Sequence, residues 1–195
     1  MGDAGPELDP LQEEAWIRAA QAGDRAAFDA LVEAHGRSVL AFLRRLTGSE
    51  PDAEDLAQET LIRAFSGLKG FQPGSRFRAW LLTIAYHEWV HVRRRKNRVR
   101  LVETEVLDRH SKGGAEEDAV STGEVAEKIR QAVARLPEDQ RAVVWLRFGE
   151  GLSHEQIAAV VDADPATVRW RLYRARQVMR KSLMPWVEPL GGRAK

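Results

Sequence analysis

The sequence predicts an all-α protein made of two small helical domains that a flexible linker joins. In nearly every patterned segment the apolar residues recur with the helical period, and no segment shows the alternation that is typical of a strand. A loop over residues 66–75 contains three glycines and a proline, so we expect no helix to cross it. A polar stretch over residues 103–123, with two adjacent glycines and little apolar periodicity, is typical of a linker.

The apolar spacing and the capping residues predict eight helices. Their expected ranges are 11–21, 25–46, 51–65, 77–95, 124–136, 138–148, 153–161 and 165–184. The corresponding organisation is a disordered N-terminus over 1–10, an N-terminal domain over 11–100, a linker over 101–123, a C-terminal domain over 124–187 and a tail over 188–195. Each domain is long enough to fold around a core of its own.

Charge is distributed unevenly along the chain, although the formal net charge is only +1. Six basic side chains and no acid lie between Arg93 and Arg100, and every charged residue between Pro165 and Met184 is basic. Because these two patches fall on different predicted domains, they indicate two separate contacts with nucleic acid.

The composition excludes several classes of protein. Cysteine is absent, which excludes disulfides, thiol redox chemistry and zinc sites built on cysteine. No apolar run reaches membrane-spanning length, and the acidic residues 1–10 lack the apolar core of a signal peptide. We therefore expect a cytoplasmic protein that makes no membrane contact of its own.

The C-terminal domain has the pattern of a helix-turn-helix. Ser153 and Gln156 have the spacing of a capping box, and Asp164 followed by Pro165 predicts the start of a longer helix. The second helix of such a pair enters the major groove, with its early residues nearest the bases and its later arginines on phosphates. The alternative for this pattern alone is a helical hairpin with a solvated basic face. The residues expected to pack inward are Val168, Leu172, Ala175 and Met179, and those expected to face outward are Arg169, Tyr173, Arg176 and Arg180.

The predicted helix over 51–65 has two contrasting faces. A polar stripe with one exposed isoleucine is, by itself, ordinary solvated surface. The inward face holds Ala53, Ala57, Thr60, Leu61 and Ala64, and the opposite face holds Asp55, Gln58, Glu59 and Ile62.

Three motifs, which follow one another along the chain, resemble the bacterial RNA polymerase sigma factors of the extracytoplasmic-function group. The polymerase-binding segment of that group resembles DAEDLAQETLIRAF at 52–65, and its promoter-melting, minus-ten-reading helix is similar to FRAWLLTIAYHEWVHVRRR at 77–95. Its minus-thirty-five-reading domain resembles LPEDQRAVVWLRFGEGLSHEQIAAVVDADPATVRWRLYRAR at 136–176. The similarity extends over roughly residues 16–183 and implies a protein that binds core RNA polymerase and directs promoter recognition and DNA opening.

The resemblance also implies a role for each residue at a matching position. The residues that would contact the clamp helices of the largest polymerase subunit are Asp55, Gln58, Glu59 and Ile62. Those that would contact the minus-ten element are Lys69, Phe71, Gln72, Arg76, His87, His91, Arg93, Arg94 and Arg95. Those that would contact the minus-thirty-five element are Thr167, Arg169, Trp170, Tyr173, Arg174, Arg176 and Arg180.

Further partners follow from the same resemblance. The loop over 69–76 would hold a base flipped out of the minus-ten element, with Phe71 stacking on it and Gln72 bonding to it. The C-terminal domain would also contact the flap of the second-largest polymerase subunit. Most relatives are held inactive by an anti-sigma factor, so we expect one here. The family needs no cofactor, no metal and no catalytic residue.

The segment His87–Glu88–His91 also spells H-E-x-x-H, the zinc-binding pattern of metalloproteases. The resembling family usually has asparagine near 87, an apolar residue near 88 and aspartate near 91, so this chain departs from it there. Six basic residues follow, and no second motif supplies a third ligand, for which His110 or Asp108 would have to fold back. We therefore take zinc proteolysis as a remote alternative.

An autonomous helix-turn-helix regulator is the other alternative. Such a regulator would need neither the polar stripe around Asp55 nor the N-terminal basic patch, and both are present in the sequence. Three residues stay unexplained.

The first is Glu88, which follows an apolar stripe of Phe77, Trp80, Leu81 and Ile84 and is costly if it is buried without a partner. The second is Trp89, which is large for its position. The third is Trp170, which contacts either a thymine methyl group or a neighbouring helix.

Overall fold

The computed structural model describes residues 9–72, 76–103 and 124–187. Over these ranges all regular structure is helical, in agreement with the predicted fold class. The chain divides into two compact units, Met1–Ala115 and Glu116–Lys195. Residues 1–8 of the predicted disordered N-terminus, the predicted tail and residues 104–123 of the predicted linker lie outside the described residues. The prediction of disorder was wrong for Asp9 and Pro10, because Asp9 caps the first helix and Pro10 is its first residue. None of the described helices is both long and apolar enough to span a membrane.

The N-terminal unit is built from four helices. They are α1 (Pro10–Gln21), α2 (Arg25–Thr47), α3 (Glu50–Gly67) and α4 (Phe77–Glu103), and a 3₁₀ turn, Leu68–Gly70, follows α3. The side chains of Asp9, Asp24 and Ser49 cap the first three helices by accepting backbone N–H groups. Helix α2 ends where Gly48 takes a positive φ of 66°, a conformation that glycine adopts without strain. The fully buried core is centred on Leu31, Val39, Phe42, Leu43 and Leu82.

Helix α4 is longer than predicted. It ends at Glu103, not at 95, and so extends into the segment predicted as linker. The predicted helix ended at 95 because the apolar periodicity ends there. The helix continues because arginine and lysine are good helix formers, and a solvated helix needs no apolar face. The basic run over 93–98 is therefore helical and continuous with the part of α4 that packs on the unit.

The buried face of α4 also differs from the predicted stripe. Trp80 and Ile84 are only half-buried, and the buried side chains are instead those of Phe77, Leu81, Leu82, Ala85 and Trp89. The buried stripe is therefore rotated relative to the predicted one, and Glu88 lies at its edge. The same rotation explains Trp89, because its large ring fills the core at the position where the stripe continues.

The C-terminal unit contains the expected helix-turn-helix. Its helices are α5 (Glu124–Ala134), α6 (Glu138–Val144), α7 (His154–Val160) and α8 (Pro165–Val187). The predicted single helix over 138–148 is α-helical only to Val144 and continues as a π turn, Trp145–Gly149. Helix α8 crosses α5, α6 and α7 and buries Val168 and Ala175, with Leu172 and Met179 packed partly against the same core.

The capping residues of the helix-turn-helix act as predicted. Ser153 accepts from the backbone of Gln156 while the Gln156 side chain accepts from the backbone of Ser153, which completes the capping box. Asp164 accepts the backbone N–H of Thr167 at 2.9 Å and its hydroxyl at 2.6 Å. These bonds, the hydroxyl bond first, lower the pKa of Asp164, so the cap is ionised at neutral pH.

His35 is buried in the N-terminal unit and contacts an acid of the neighbouring helix. Its Nε2 atom lies 2.7 Å from Oε1 of Glu13, which ties α2 to α1. Burial lowers the pKa of His35, and this outweighs the opposing effect of Glu13, while Arg78 acts in the same direction as burial. A histidine with a lowered pKa stabilises the fold above its ordinary value, about 6.5, and this contribution is lost as the pH falls through the lowered pKa.

We therefore expect the free energy of unfolding to fall between pH 7.5 and pH 5.5. The measurement is a urea titration followed by fluorescence, repeated on His35→Gln, which keeps a donor toward Glu13 but does not titrate. The variant is expected to show a smaller fall than the native chain. Equal falls in the two proteins would show that other groups cause the acid sensitivity.

Candidate polymerase and promoter interfaces

The outward stripe of α3 is exposed. Asp55 and Gln58 are open to solvent, Glu59 is half-exposed, and the Ile62 side chain is 53% exposed. The sequence prediction did not include Phe65, which is 49% exposed and lies one turn beyond Ile62 on the same face. The rings of Phe65 and Phe28 pack in a T-shaped arrangement with centroids 5.0 Å apart, and this contact holds the half-exposed Phe65 side chain in place. The stripe thus presents two acids, an amide and two apolar side chains.

The loop after α3 presents only part of its predicted contact set. Lys69, Gln72 and Arg76 are exposed, whereas residues 73–75 lie outside the described part of the chain. Phe71 is only 5% exposed, since its ring packs on Phe77 and Trp80 with centroids 5.4 Å and 5.0 Å away. The prediction that Phe71 stacks on a flipped base does not fit this placement, because the ring completes the core and offers no free face.

The solvent face of α4 carries the other predicted minus-ten residues. His87, His91, Arg94 and Arg95 are exposed. Arg93 is half-buried, and its guanidinium lies over the Trp89 ring at 5.5 Å from the centroid. Because Trp89 is buried in the core, this contact fixes the start of the basic run relative to the unit.

Glu88 is paired with an arginine of the neighbouring helix. Its Oε1 atom lies 3.0 Å from Nε of Arg63, and the same Nε lies 2.9 Å from Oε1 of Glu59. The Glu88 side chain is 12% exposed, so the pair removes the cost of an unpaired carboxylate. Arg63 and Glu88 lie in the wall of an open groove of about 580 Å³ between α3 and α4, which Trp80, Ile84 and His87 also line.

Helix α8, the predicted recognition helix, has an aromatic and basic outer face. Trp170 and Tyr173 are 56% and 59% exposed, and the guanidinium of Arg174 lies 5.9 Å from the Trp170 ring centroid. Of the two alternatives for Trp170, packing against a neighbouring helix does not fit this exposure. The Thr167 hydroxyl donates to Asp164, so that residue contributes a capping bond to the start of α8.

The arginines of α8 divide into two groups. Arg171 pairs with Asp139 of α6 at 3.1 Å and is mostly buried, so it links α8 to α6. The others are exposed and face away from the core of the unit. They are Arg169, Arg174, Arg176 and Arg180.

Comparisons with known proteins match both units. Residues 31–99 match Sigma-70 region 2, and residues 126–179 match Sigma-70, region 4. The RNA polymerase sigma-H factor of Pseudomonas aeruginosa is 34% identical over 183 residues, which are 89% of this chain and 95% of that protein. The ECF RNA polymerase sigma-E factor of Escherichia coli is 32% identical over 187 residues, which are 91% of this chain and 97% of that protein. The chain belongs to the extracytoplasmic-function (ECF) sigma factors of RNA polymerase.

Solved structures agree with this assignment. A sigma factor from Bartonella quintana, RpoE, solved with the anti-sigma factor NepR, has a TM-score of 0.68 and 26% identity, and the match covers 80% of this chain and 96% of that one. CnrH, solved with the cytosolic domain of CnrY, has a TM-score of 0.65 at 24% identity and covers 89% of this chain and 98% of that one, which supports the fold.

This sigma factor therefore binds core RNA polymerase and directs it to promoter DNA. Members of its family are generally not enzymes. The region 2 match covers the α3 stripe and the N-terminal basic patch. An autonomous helix-turn-helix regulator would need neither of these features.

The H-E-x-x-H motif at residues 87–91 lacks the surroundings of a zinc protease among the described residues. Glu88, which a metalloprotease would use as general base, forms an ion pair with Arg63 in the wall of the groove. Among the described residues, no group of three or more histidines, aspartates and glutamates is placed to hold a metal ion. His110 and Asp108, the third ligands considered, lie outside those residues.

Proposed function

We propose that the exposed stripe of α3 is the face that meets the clamp helices of the largest polymerase subunit. The observation that supports this is the combination of acids and apolar side chains at Asp55, Gln58, Glu59 and Ile62, to which we add Phe65. An interface needs a buried apolar contact for affinity and charges for orientation, and this stripe offers both. We further propose that the C-terminal unit meets the flap of the second-largest subunit.

We propose that the minus-ten element is held by the loop after α3 and by the solvent face of α4. Phe71 is left out, since its ring is in the core. The proposed contacts are Lys69, Gln72, Arg76, His87, His91, Arg93, Arg94 and Arg95. In this arrangement the exposed loop residues meet the separated strand, and the helical basic run lies on duplex phosphates upstream.

We propose that α8 reads the minus-thirty-five element through Arg169, Trp170 and Tyr173 at its N-terminal half. Arg174, Arg176 and Arg180 then bind phosphates, and Thr167 shapes the start of the helix by capping. The exposure of Trp170 favours contact with a thymine methyl group.

Site-specific photocrosslinking tests this assignment of residues to DNA elements. A benzophenone side chain placed at 72 or 173 in the polymerase complex is expected to crosslink minus-ten and minus-thirty-five DNA respectively. Position 129 is the control, because Ile129 is an exposed apolar residue of α5 with no proposed DNA contact. Crosslinks from 72 to the minus-thirty-five element, or none from 173, would contradict the assignment.

We also propose that an anti-sigma factor binds this chain, since its structural relative from Bartonella quintana was solved with one. Because a sigma factor acts on RNA polymerase, we propose that it works in the cytoplasm. We propose that it has no catalytic activity, no cofactor and no metal site of its own.

Replacement of Glu88 by glutamine is expected to leave promoter opening intact or to raise it by no more than about twofold, the scale of a partly exposed ion pair. The change removes a carboxylate near DNA phosphates, and Arg63 keeps its bond to Glu59. Permanganate reactivity of the opened strand measures this effect.

Alanine variants of the two histidines distinguish a DNA contact from a zinc site in the same assay. His87→Ala and His91→Ala are expected to alter open-complex formation without any change in zinc content. Stoichiometric zinc that is lost in His91→Ala, together with peptide hydrolysis that Glu88→Gln abolishes, would support the protease hypothesis instead.

A further inference from the structure

The side chain of Gln21 joins the end of α1 to the loop that follows α3. Its Nε2 atom lies 3.0 Å from the carbonyl oxygen of Leu68 and 2.7 Å from the carbonyl oxygen of Phe71. Both partners are acceptors, so the amide must turn its NH₂ group toward them, and its two hydrogens serve the two carbonyls. These bonds link positions 47 and 50 residues apart in sequence.

Both ends of this link are rigid. Helix α1 is anchored by Ile17 and Ala20, which are 2% and 8% exposed, so the backbone of Gln21 is fixed. On the loop side, the side chains of Leu68 and Phe71 are buried, and the N–H of Phe71 donates to the carbonyl of Leu68 at 3.0 Å. The backbone over 68–71 is therefore closed into a turn and then held to α1 by one side chain.

The positions of the exposed side chains Lys69 and Gln72 depend on the conformation of this turn. Lys69 lies between the two carbonyls that Gln21 binds, Gln72 follows the second of them directly, and both side chains are exposed. A turn that is fixed before DNA arrives has fewer conformations to lose on binding, so the same contacts give a higher affinity.

We propose that Gln21 is a positioning residue, outside the DNA contact set, that fixes the turn over 68–71 and with it Lys69 and Gln72, through which this sigma factor holds the separated minus-ten strand. The inference rests on the proposed function of this turn, namely that Lys69 and Gln72 contact that strand. It is independent of the polymerase stripe on α3 and of α8, because the hydrogen bonds of the Gln21 side chain go to the turn alone among the bonds described.

The test uses the full chain bound to core polymerase and a forked DNA whose minus-ten strand is single. Gln21→Met keeps the length of the side chain without a donor, Gln21→Glu keeps the shape but faces the carbonyls with acceptors, and Gln21→Lys restores a donor. Gln21→Met is expected to bind the forked DNA roughly tenfold more weakly, the scale of two lost hydrogen bonds, and to discriminate less among minus-ten bases. Gln21→Glu is expected to be weaker still and Gln21→Lys to recover most of the affinity.

The controls separate positioning from general stability and from the proposed loop function. Core polymerase affinity and binding of duplex minus-thirty-five DNA are expected to stay at the native level in all three variants, and equal losses in these assays would overturn the inference. Native affinity and base preference of Gln21→Met, beside a weakened Gln72→Ala, would overturn it while leaving the loop function in place. Native binding by Gln72→Ala and Arg76→Ala as well would overturn the loop function and the inference together.

Discussion

Reversal of both acids of the α3 stripe, Asp55→Lys with Glu59→Lys, is expected to weaken binding to core polymerase by roughly 2–4 kcal/mol, or about 30- to 1,000-fold. The reason is that an acidic stripe is expected to face basic side chains, which the introduced lysines would repel. Helix content is expected to be unchanged, because neither side chain is buried. A fluorescence titration of labelled protein with core enzyme measures the affinity, and circular dichroism measures the helix content.

A matched reversal on α2 provides the control. Asp29 and Glu33 are exposed and lie four residues apart, as Asp55 and Glu59 do, but no contact is proposed for them. Asp29→Lys with Glu33→Lys changes the net charge by the same amount and is expected to bind core polymerase within about twofold of the native chain, the scale of weak surface electrostatics. Native affinity of the stripe variant, or an equal loss in the control, would contradict the proposed interface.

Alanine at Arg169 and alanine at Arg180 are expected to weaken promoter binding in different ways. Arg169 lies in the second turn of α8, where a recognition helix meets base edges, so its loss should cost about 1–3 kcal/mol and relax the preference at one position. Arg180 lies further along the same helix and is proposed to bind phosphate. Its loss should weaken all sequences alike and reduce the salt dependence by about one phosphate contact.

Binding across a library of minus-thirty-five sequences, repeated at several salt concentrations, distinguishes these effects. Arg171→Ala is a useful third variant, because Arg171 pairs with Asp139 and is expected to lower stability more than base preference. Identical library profiles and salt slopes for Arg169→Ala and Arg180→Ala would contradict the division between base and phosphate contacts.

Local signals in the sequence predicted much of the C-terminal unit. The capping box of Ser153 and Gln156 and the cap at Asp164 form as expected, because capping depends on residues three apart in the chain. The inward and outward sides of α8 are confirmed as well, since burial there follows the helical period. The π turn after Val144 was missed, because its residues have an ordinary helical pattern.

The N-terminal unit shows what local patterns do not determine. Trp80 and Leu82 are both apolar and lie two positions apart on α4, and only tertiary packing decides that Leu82 is buried while Trp80 borders the groove. The same packing draws Phe71 into the core and away from the predicted base contact. The Arg63–Glu88 pair joins α3 to α4, and the sequence left Glu88 unexplained because a contact between two helices does not show in a local pattern.

Run-off transcription tests the central claim, that this chain directs core RNA polymerase to promoters, most directly. Purified core enzyme is mixed with a promoter library, with and without the chain, and the transcripts are sequenced. The structure and the family match predict discrete start sites that share spaced minus-thirty-five and minus-ten elements, that require the chain, and that disappear with Asp55→Lys and Glu59→Lys. Identical transcripts with and without the chain, beside specific DNA binding by the chain alone, would contradict the claim and favour an autonomous regulator.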